Sequence, residues 1–137
     1  MDNYFEMNMP KKEIDAISNI GLAHMGDCVY EILVRAHLCA QGRKTVQQLH
    51  QQTIQMVKAT FQAKFVDKML PILTEEELTY YRRGKNAHPH GVPRSATPAE
   101  YSKATGLECL FGSLYLMGRR DRINELFQLT VEEANAL

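Results

Sequence analysis

The sequence predicts an all-helical protein folded as a single domain. Apolar residues recur at three- and four-residue spacings, threonine-led motifs mark helix starts, and no segment alternates apolar and polar residues as a half-buried strand would. The 137 residues contain no repeat, no low-complexity tract and no linker rich in Gly, Ser or Pro. We therefore expect one domain over residues 1–137, with residues 1–12 as a mobile N-terminal segment.

The first two predicted helices have clear boundaries. The first begins near Ser18 or earlier and continues to about Gln41, where Gly42 suits a left-handed helix end. Thr45 can cap the second helix. Its apolar residues keep a helical spacing up to Pro71, so one long, core-facing helix is predicted there.

Two capping boxes start the next helices. Thr74 with Glu77 begins a short helix to about Arg83, and the stretch Gly84–Ala96, with two prolines and no apolar periodicity, is predicted as a loop. Thr97 is followed by a proline and, three residues on, by Glu100, which predicts a helix to about Met117 before Gly118. The last helix is predicted over about Arg120–Ala134.

Composition limits the classes of protein to consider. Lys+Arg and Asp+Glu balance at 16 each, so the net charge gives no reason to expect a nucleic-acid ligand. An argument for nucleic-acid binding must therefore rest on local clusters of basic residues. No segment reaches the roughly 18 apolar residues of a membrane span, and Met1–Pro10 lacks the features of a signal peptide. The three cysteines, Cys28, Cys39 and Cys109, lie in apolar stretches and are expected to be small hydrophobes in a reducing cytoplasm.

The first helix carries a narrow stripe of titratable residues. It is apolar almost all round, yet His24, Asp27, Glu31 and Arg35 share one side because they are spaced by three, four and four residues. One interpretation is a solvent-facing strip with an ordinary Glu31–Arg35 pair. The other is that Asp27, with Glu31, supplies oxygen ligands to a hard cation such as Mg²⁺.

A second carboxylate stands out in the helix that follows Thr97. Glu108 is its only acid after the cap and is surrounded by apolar and small residues, where a lone charge is costly unless it is paired or liganded. It either pairs with Lys103 or a distant arginine, or joins Asp27. Four glycines, two on each helix, would allow the backbones to approach closely: Gly21, Gly26, Gly106 and Gly112.

These two segments resemble a known family. Met25–Glu31 is similar to the signature helix of the ribonuclease III family, and Ala104–Gly112 is similar to that family's second catalytic helix. The Tyr30-Glu31 ending, the Arg82–Ala87 segment and the lack of an appended double-stranded-RNA-binding domain resemble its Mini-ribonuclease III branch. The resemblance extends from about Ile14 to Glu133 and implies an all-α, dimeric endonuclease domain.

The resemblance also implies an activity and its catalytic residues. Asp27 and Glu108 would be catalytic and would hold Mg²⁺, for which Mn²⁺ can substitute, to hydrolyse phosphodiester bonds in double-stranded RNA into 5′ phosphate and 3′ hydroxyl ends. Glu31 and Thr105 would contribute through water molecules beside the ion. This chain has two fewer acids at the site than larger members of the family, which have acidic residues where this chain has Ala23 and Thr105. The number of metal ions therefore stays open.

A locally basic stretch follows Arg82 and is a candidate RNA contact. Phosphates and 2′ hydroxyls of duplex RNA suit such a surface, although a merely solvated surface is the alternative. Zinc binding by His88 and His90 is not expected, because no cysteine or acid stands at ligand spacing. The predicted RNA contacts are Arg82, Arg83, Lys85, Asn86, His88, Arg94 and Lys103.

The resemblance further implies a homodimer and a substrate. The surface around Gly21, Leu22, Met25 and Tyr30 would form a two-fold interface. The expected substrate is precursor 23S ribosomal RNA, with a ribosomal protein as a possible aid to binding. Two alternatives are a catalytically inactive RNA-binding or ribosome-assembly factor of the same fold and a generic helical interaction module. The second leaves Glu108 and the basic stretch unexplained.

Overall fold

The computed structural model describes residues 1–87 and 96–137, and every regular element in that part of the chain is helical. The predicted all-helical fold is thereby confirmed. In chain order the elements are α1 (Lys11–Asp15), α2 (Asn19–Ala40), α3 (Val46–Val57), α4 (Ala59–Met69), a 3-10 turn (Leu70–Ile72), α5 (Glu75–Lys85), α6 (Pro98–Leu116) and α7 (Arg120–Asn135).

Helix α6 lies at the centre of the fold. It packs against α2, α4, α5 and α7, and from Ala104 to Leu114 every residue is buried except Glu108, which is half-buried. Beside it, the Tyr30 ring lies 6.1 to 6.3 Å from the rings of Phe65, Phe111 and Phe127, which belong to α4, α6 and α7. This aromatic cluster joins four helices and fixes the orientation of α2 on α6.

Most predicted helix boundaries are confirmed because they depend on local hydrogen bonds. The Ser18 side chain accepts the Gly21 N–H at the start of α2, and the capping boxes of Thr74 and Thr97 are both formed. At the helix ends, Gly42 and Gly118 adopt φ angles of 116° and 80°.

The prediction of one long helix between Thr45 and Pro71 is wrong. The chain is extended at Lys58 (φ −63°, ψ 145°), and this divides the segment into α3 and α4. The bend lets α3 pack on α2 while α4 packs on α6 and α7. Apolar spacing continues after the bend with buried residues such as Phe61, so periodicity alone does not reveal a single extended residue.

Smaller differences from the predicted helices occur near the N-terminus and at the end of α5. Helix α1 was not predicted, and α5 continues through Gly84 to Lys85, where a loop was expected. The Met9 N–H donates to the Leu116 carbonyl at 2.8 Å, so the N-terminal segment lies against the end of α6. The mobility of residues 1–12 stays a prediction.

The cysteines divide into two environments. Cys109 is buried as expected, and burial raises the pKa of its thiol to about 11. Cys28 and Cys39 are exposed, so their interpretation as small buried hydrophobes is wrong. Of the helices in the described part of the chain, none combines the length and apolarity needed to cross a bilayer.

Candidate active site

Asp27 and Glu108, which are 81 positions apart in the sequence (108 − 27), face each other across the contact of α2 and α6. Asp27 is exposed and Glu108 is half-buried, and the two carboxyl groups are close enough for the charge of Asp27 to raise the pKa of Glu108. The alternative that Glu108 pairs with Lys103 is wrong, because Lys103 Nζ lies 2.9 Å from Asp67 Oδ1 instead. The structure thus brings together the two acids that the sequence singled out.

Two glycines make this approach possible. A Cβ atom on Gly26 would lie 1.5 Å from the Glu108 carbonyl oxygen, and one on Gly112 would lie 2.2 Å from the Leu22 carbonyl oxygen. The main chains of α2 and α6 are therefore in direct contact beside both carboxylates. Because Asp27 follows Gly26 directly, this contact sets its position relative to Glu108.

The other two glycines do not act in this contact. A Cβ on Gly21 would meet Ser18 Oγ at 2.9 Å, within the cap of α2. A Cβ on Gly106 would meet the Tyr81 ring at 2.6 Å, so Gly106 admits α5 rather than α2. The predicted close approach is confirmed for Gly26 and Gly112 and wrong for Gly21 and Gly106.

The electrostatics of the pair suit a divalent cation. Burial, and then the negative charge of Asp27, raise the pKa of Glu108 to about 9. Two adjacent carboxylates repel each other when both are ionised, and a cation between them would remove that repulsion. Mg²⁺ typically binds through one or two carboxylates and keeps several waters, so this donor set fits it. In the described part of the chain no group of three or more His, Cys, Asp or Glu side chains could enclose a metal ion.

The raised pKa predicts how the metal-free protein responds to pH. Glu108 has a folded-state pKa near 9 against an ordinary value of 4.5, so the folded state holds this proton more tightly than the unfolded state. The stabilising contribution is complete below pH 4.5 and is lost as the pH rises towards 9. In EDTA at pH 8, Glu108→Gln is therefore expected to melt at a higher temperature than the unmodified protein.

The control for this prediction is the same pair of melts at pH 4.5. There the difference between the two proteins should be smaller, because at pH 4.5 the unfolded state also holds the Glu108 proton about half of the time, so unfolding releases little of it. Adding Mg²⁺ at pH 8 should stabilise the unmodified protein more than Glu108→Gln. Equal melting temperatures at pH 8 in EDTA would contradict the raised pKa of Glu108.

The two residues expected to contribute through water have other contacts. Glu31 forms an ion pair with Arg35 at 3.1 Å, one turn beyond Asp27. The Thr105 hydroxyl donates to the Tyr101 carbonyl at 2.9 Å, and Thr105 is buried. Because a hydroxyl has one proton, Thr105 keeps only acceptor capacity for a water. Both roles stay predictions.

The expected RNA contacts separate into exposed and engaged side chains. Arg82, Lys85 and Asn86 are exposed at the end of α5. Arg83 and Lys103 are engaged within the protein, Arg83 by the start of α2 and Lys103 by Asp67. Their roles in RNA binding stay predictions. The remaining expected contacts, His88 and Arg94, lie outside the described residues, as does His90, which was not expected to bind zinc.

The predicted two-fold surface needs correction. Leu22 and Tyr30 have no exposed area, and the Tyr30 hydroxyl donates to the Met56 carbonyl at 2.6 Å. Both residues belong to the core of the protomer and are not available to a second copy. The helix is apolar almost all round, so its sequence did not show which side faces outwards. The exposed large apolar residues of α2 are Ile20 and Ile32.

The sequence reasoning missed one residue that organises the site. A Cβ on Gly84 would lie 2.5 Å from the Thr105 carbonyl oxygen and 2.6 Å from Cys109 Cβ. The last turn of α5 therefore touches α6 within one turn of Glu108. The available signal was a glycine between the cations Arg83 and Lys85, which was assigned to a loop.

Comparison with known proteins identifies the family of this chain. A sequence model described as the Ribonuclease III domain matches residues 21–119, a range that contains both Asp27 and Glu108. The chain belongs to the ribonuclease III family. Members of the ribonuclease III family are endoribonucleases that generally depend on divalent metal ions.

Its relatives in the ribonuclease III family span most of its length. Mini-ribonuclease 3 of Symbiobacterium thermophilum is 44% identical over 81% of this chain and 85% of that protein. Mini-ribonuclease 3 of Desulfitobacterium hafniense is 41% identical over 88% of this chain and 75% of that protein. The crystal structure of a Fusobacterium nucleatum protein matches with a TM-score of 0.79 at 28% identity, over 88% of this chain and 96% of that one.

Proposed function

We propose that this protein is a Mg²⁺-dependent endoribonuclease that hydrolyses double-stranded RNA and leaves 5′ phosphate and 3′ hydroxyl ends. The observation that carries the proposal is the meeting of Asp27 and Glu108 at a close contact of two helices. A protein that only binds RNA has no need to hold two mutually repelling carboxylates together. Membership of the ribonuclease III family supports the same reaction.

Asp27 and Glu108 would hold the metal ion. When bound, Mg²⁺ supplies an activated water nucleophile and stabilises charge on the departing 3′ oxygen, and Mn²⁺ would serve in its place. The chain's own contribution is to keep the two carboxylates close together, since the main chains of α2 and α6 are in direct contact at Gly26 and Gly112. Glu31 is one turn away, and its pair with Arg35 leaves it partly exposed to water.

The end of α5 would bind the RNA backbone. Arg82, Lys85 and Asn86 are exposed there, and Gly84 holds this turn against α6. Cations and an amide side chain at this position suit the phosphates and 2′ hydroxyls that identify duplex RNA. His88 and Arg94 stay predicted RNA contacts.

A homodimer would place two such sites on one duplex. Double-stranded RNA has a local two-fold axis, so a two-fold enzyme cuts both strands with equivalent residues. We assign the interface to the exposed surface of α2, on which the large apolar residues are Ile20 and Ile32. The substrate would be precursor 23S ribosomal RNA in the cytoplasm, with a bound ribosomal protein as an aid. Relatives named Mini-ribonuclease 3 support an RNA substrate.

The test is cleavage of a labelled RNA duplex by the purified protein. We expect cutting in Mg²⁺, none in EDTA, and at most slow cutting of either strand alone. The products should accept a radiolabel at the 5′ end only after phosphatase treatment, because cleavage leaves a 5′ phosphate. Tight duplex binding in Mg²⁺ without any cutting would overturn the proposal and favour an inactive RNA-binding factor.

A further inference from the structure

Arg83 differs from the neighbouring cations because its side chain is directed into the protein. Nε donates to Asn19 Oδ1 and Nη2 donates to the Ile17 carbonyl, both at 2.6 Å. Its side chain is 23% exposed, and Nη1 lies 3.9 Å from Asp15. Arg82, by contrast, is exposed and has no ion pair in the described part of the chain. The donors of Arg83 are therefore occupied by the chain entering α2.

The next residue connects the same turn to the other catalytic helix. Gly84 packs against the carbonyl of Thr105, three residues before Glu108. Asn19, the partner of Arg83, precedes Asp27 by eight residues, or about two helical turns. The last turn of α5 is thus attached to α6 through the main chain of Gly84 and to α2 through the side chain of Arg83.

We infer that Arg83 is a positioning residue, which fixes the exposed cations of this turn relative to Asp27 and Glu108. The inference rests on the proposed function. RNA held by Arg82 and Lys85 would then present a phosphodiester bond at the carboxylates. Without Arg83 those two cations would still bind RNA, but they would be displaced relative to Asp27 and Glu108. A displacement of about 1 Å can lower a rate about a hundredfold, so the effect falls on kcat.

The tests are four variants with kinetics at a temperature at which thermal melts show each to be folded. Arg83→Met and Arg83→Lys are expected to lower kcat about tenfold, with KM changed less than about threefold, because an ammonium does not reproduce the fixed geometry of the guanidinium group. Asn19→Ala should also lower kcat, as the Arg83 variants do. The double variant Asn19→Ala with Arg83→Met should lose little more activity than Arg83→Met alone, because both substitutions remove the same Arg83–Asn19 hydrogen bond.

The matched control is Arg82→Met, one residue away. Duplex binding is measured without divalent ions over a series of salt concentrations. Arg82→Met should weaken binding and reduce the slope of log affinity against log salt by about one, as expected for a phosphate contact. Arg83→Met should leave that slope unchanged.

Two results would overturn this inference and leave the proposed function standing. A salt slope reduced by about one in Arg83→Met would make Arg83 a direct phosphate contact. A lowered melting temperature with unchanged kcat and KM would make it a purely structural residue. Failure of the unmodified protein to cut duplex RNA would instead overturn the proposed function, and this inference with it.

Discussion

Replacing Asp27 by asparagine is expected to lower the rate of RNA cleavage roughly a thousandfold. The amide keeps the size of the side chain but removes one of the two negative charges that would hold Mg²⁺. Because Asp27 is exposed, the substitution should leave the fold intact. The measurement is the single-turnover rate on a labelled duplex at saturating Mg²⁺, together with a melt to show that the variant is folded.

Glu108→Gln is expected to cause a loss of the same size, since the ion needs both carboxylates. Asp121→Asn and Glu132→Gln are the matched controls, because both acids are exposed on α7 and form no ion pair in the described residues. Each should cut at nearly the unmodified rate. Undiminished cutting by Asp27→Asn or by Glu108→Gln would refute the assignment of the site.

The second large effect is expected from Gly26→Ala. Its Cβ would lie 1.5 Å from the Glu108 carbonyl oxygen and 2.4 Å from the Glu108 carbonyl carbon, so α2 and α6 must separate to admit one methyl group. We expect the free energy of unfolding to fall by about 3 kcal/mol and the melting temperature by roughly 10 °C. Cleavage should fall even where the variant is folded, because the separation moves Asp27 away from Glu108.

Gly21→Ala is the matched control on the same helix. Its Cβ would meet only the Ser18 and Ile17 side chains, at 2.9 and 3.0 Å, which can adjust. The free energy of unfolding should change by no more than about 1 kcal/mol, because alanine also favours the helix. Thermal melts and cleavage rates of the two variants, measured side by side, check the comparison. Equal stability of both would show that α2 and α6 are not in backbone contact at Gly26.

Features that depend on neighbouring residues were predictable from the sequence. The capping boxes at Thr74 and Thr97 and the left-handed glycines at positions 42 and 118 act within a few residues, so their sequence pattern carries the whole interaction. The break at Lys58 was missed because apolar spacing continues beyond it. The outward side of α2 was missed because a helix apolar on nearly every side does not distinguish Tyr30, which is buried, from Ile32, which is exposed.

The sequence by itself determined the helical class, the family resemblance and the identity of the two acids, because residue type and spacing along one helix are local properties. Only the tertiary structure decided that Gly26 and Gly112 bring those acids together, that Gly106 faces α5, and that Arg83 is bound to the start of α2. These facts depend on how helices distant in sequence cross. That crossing is set by the packing of the whole core rather than by any one segment.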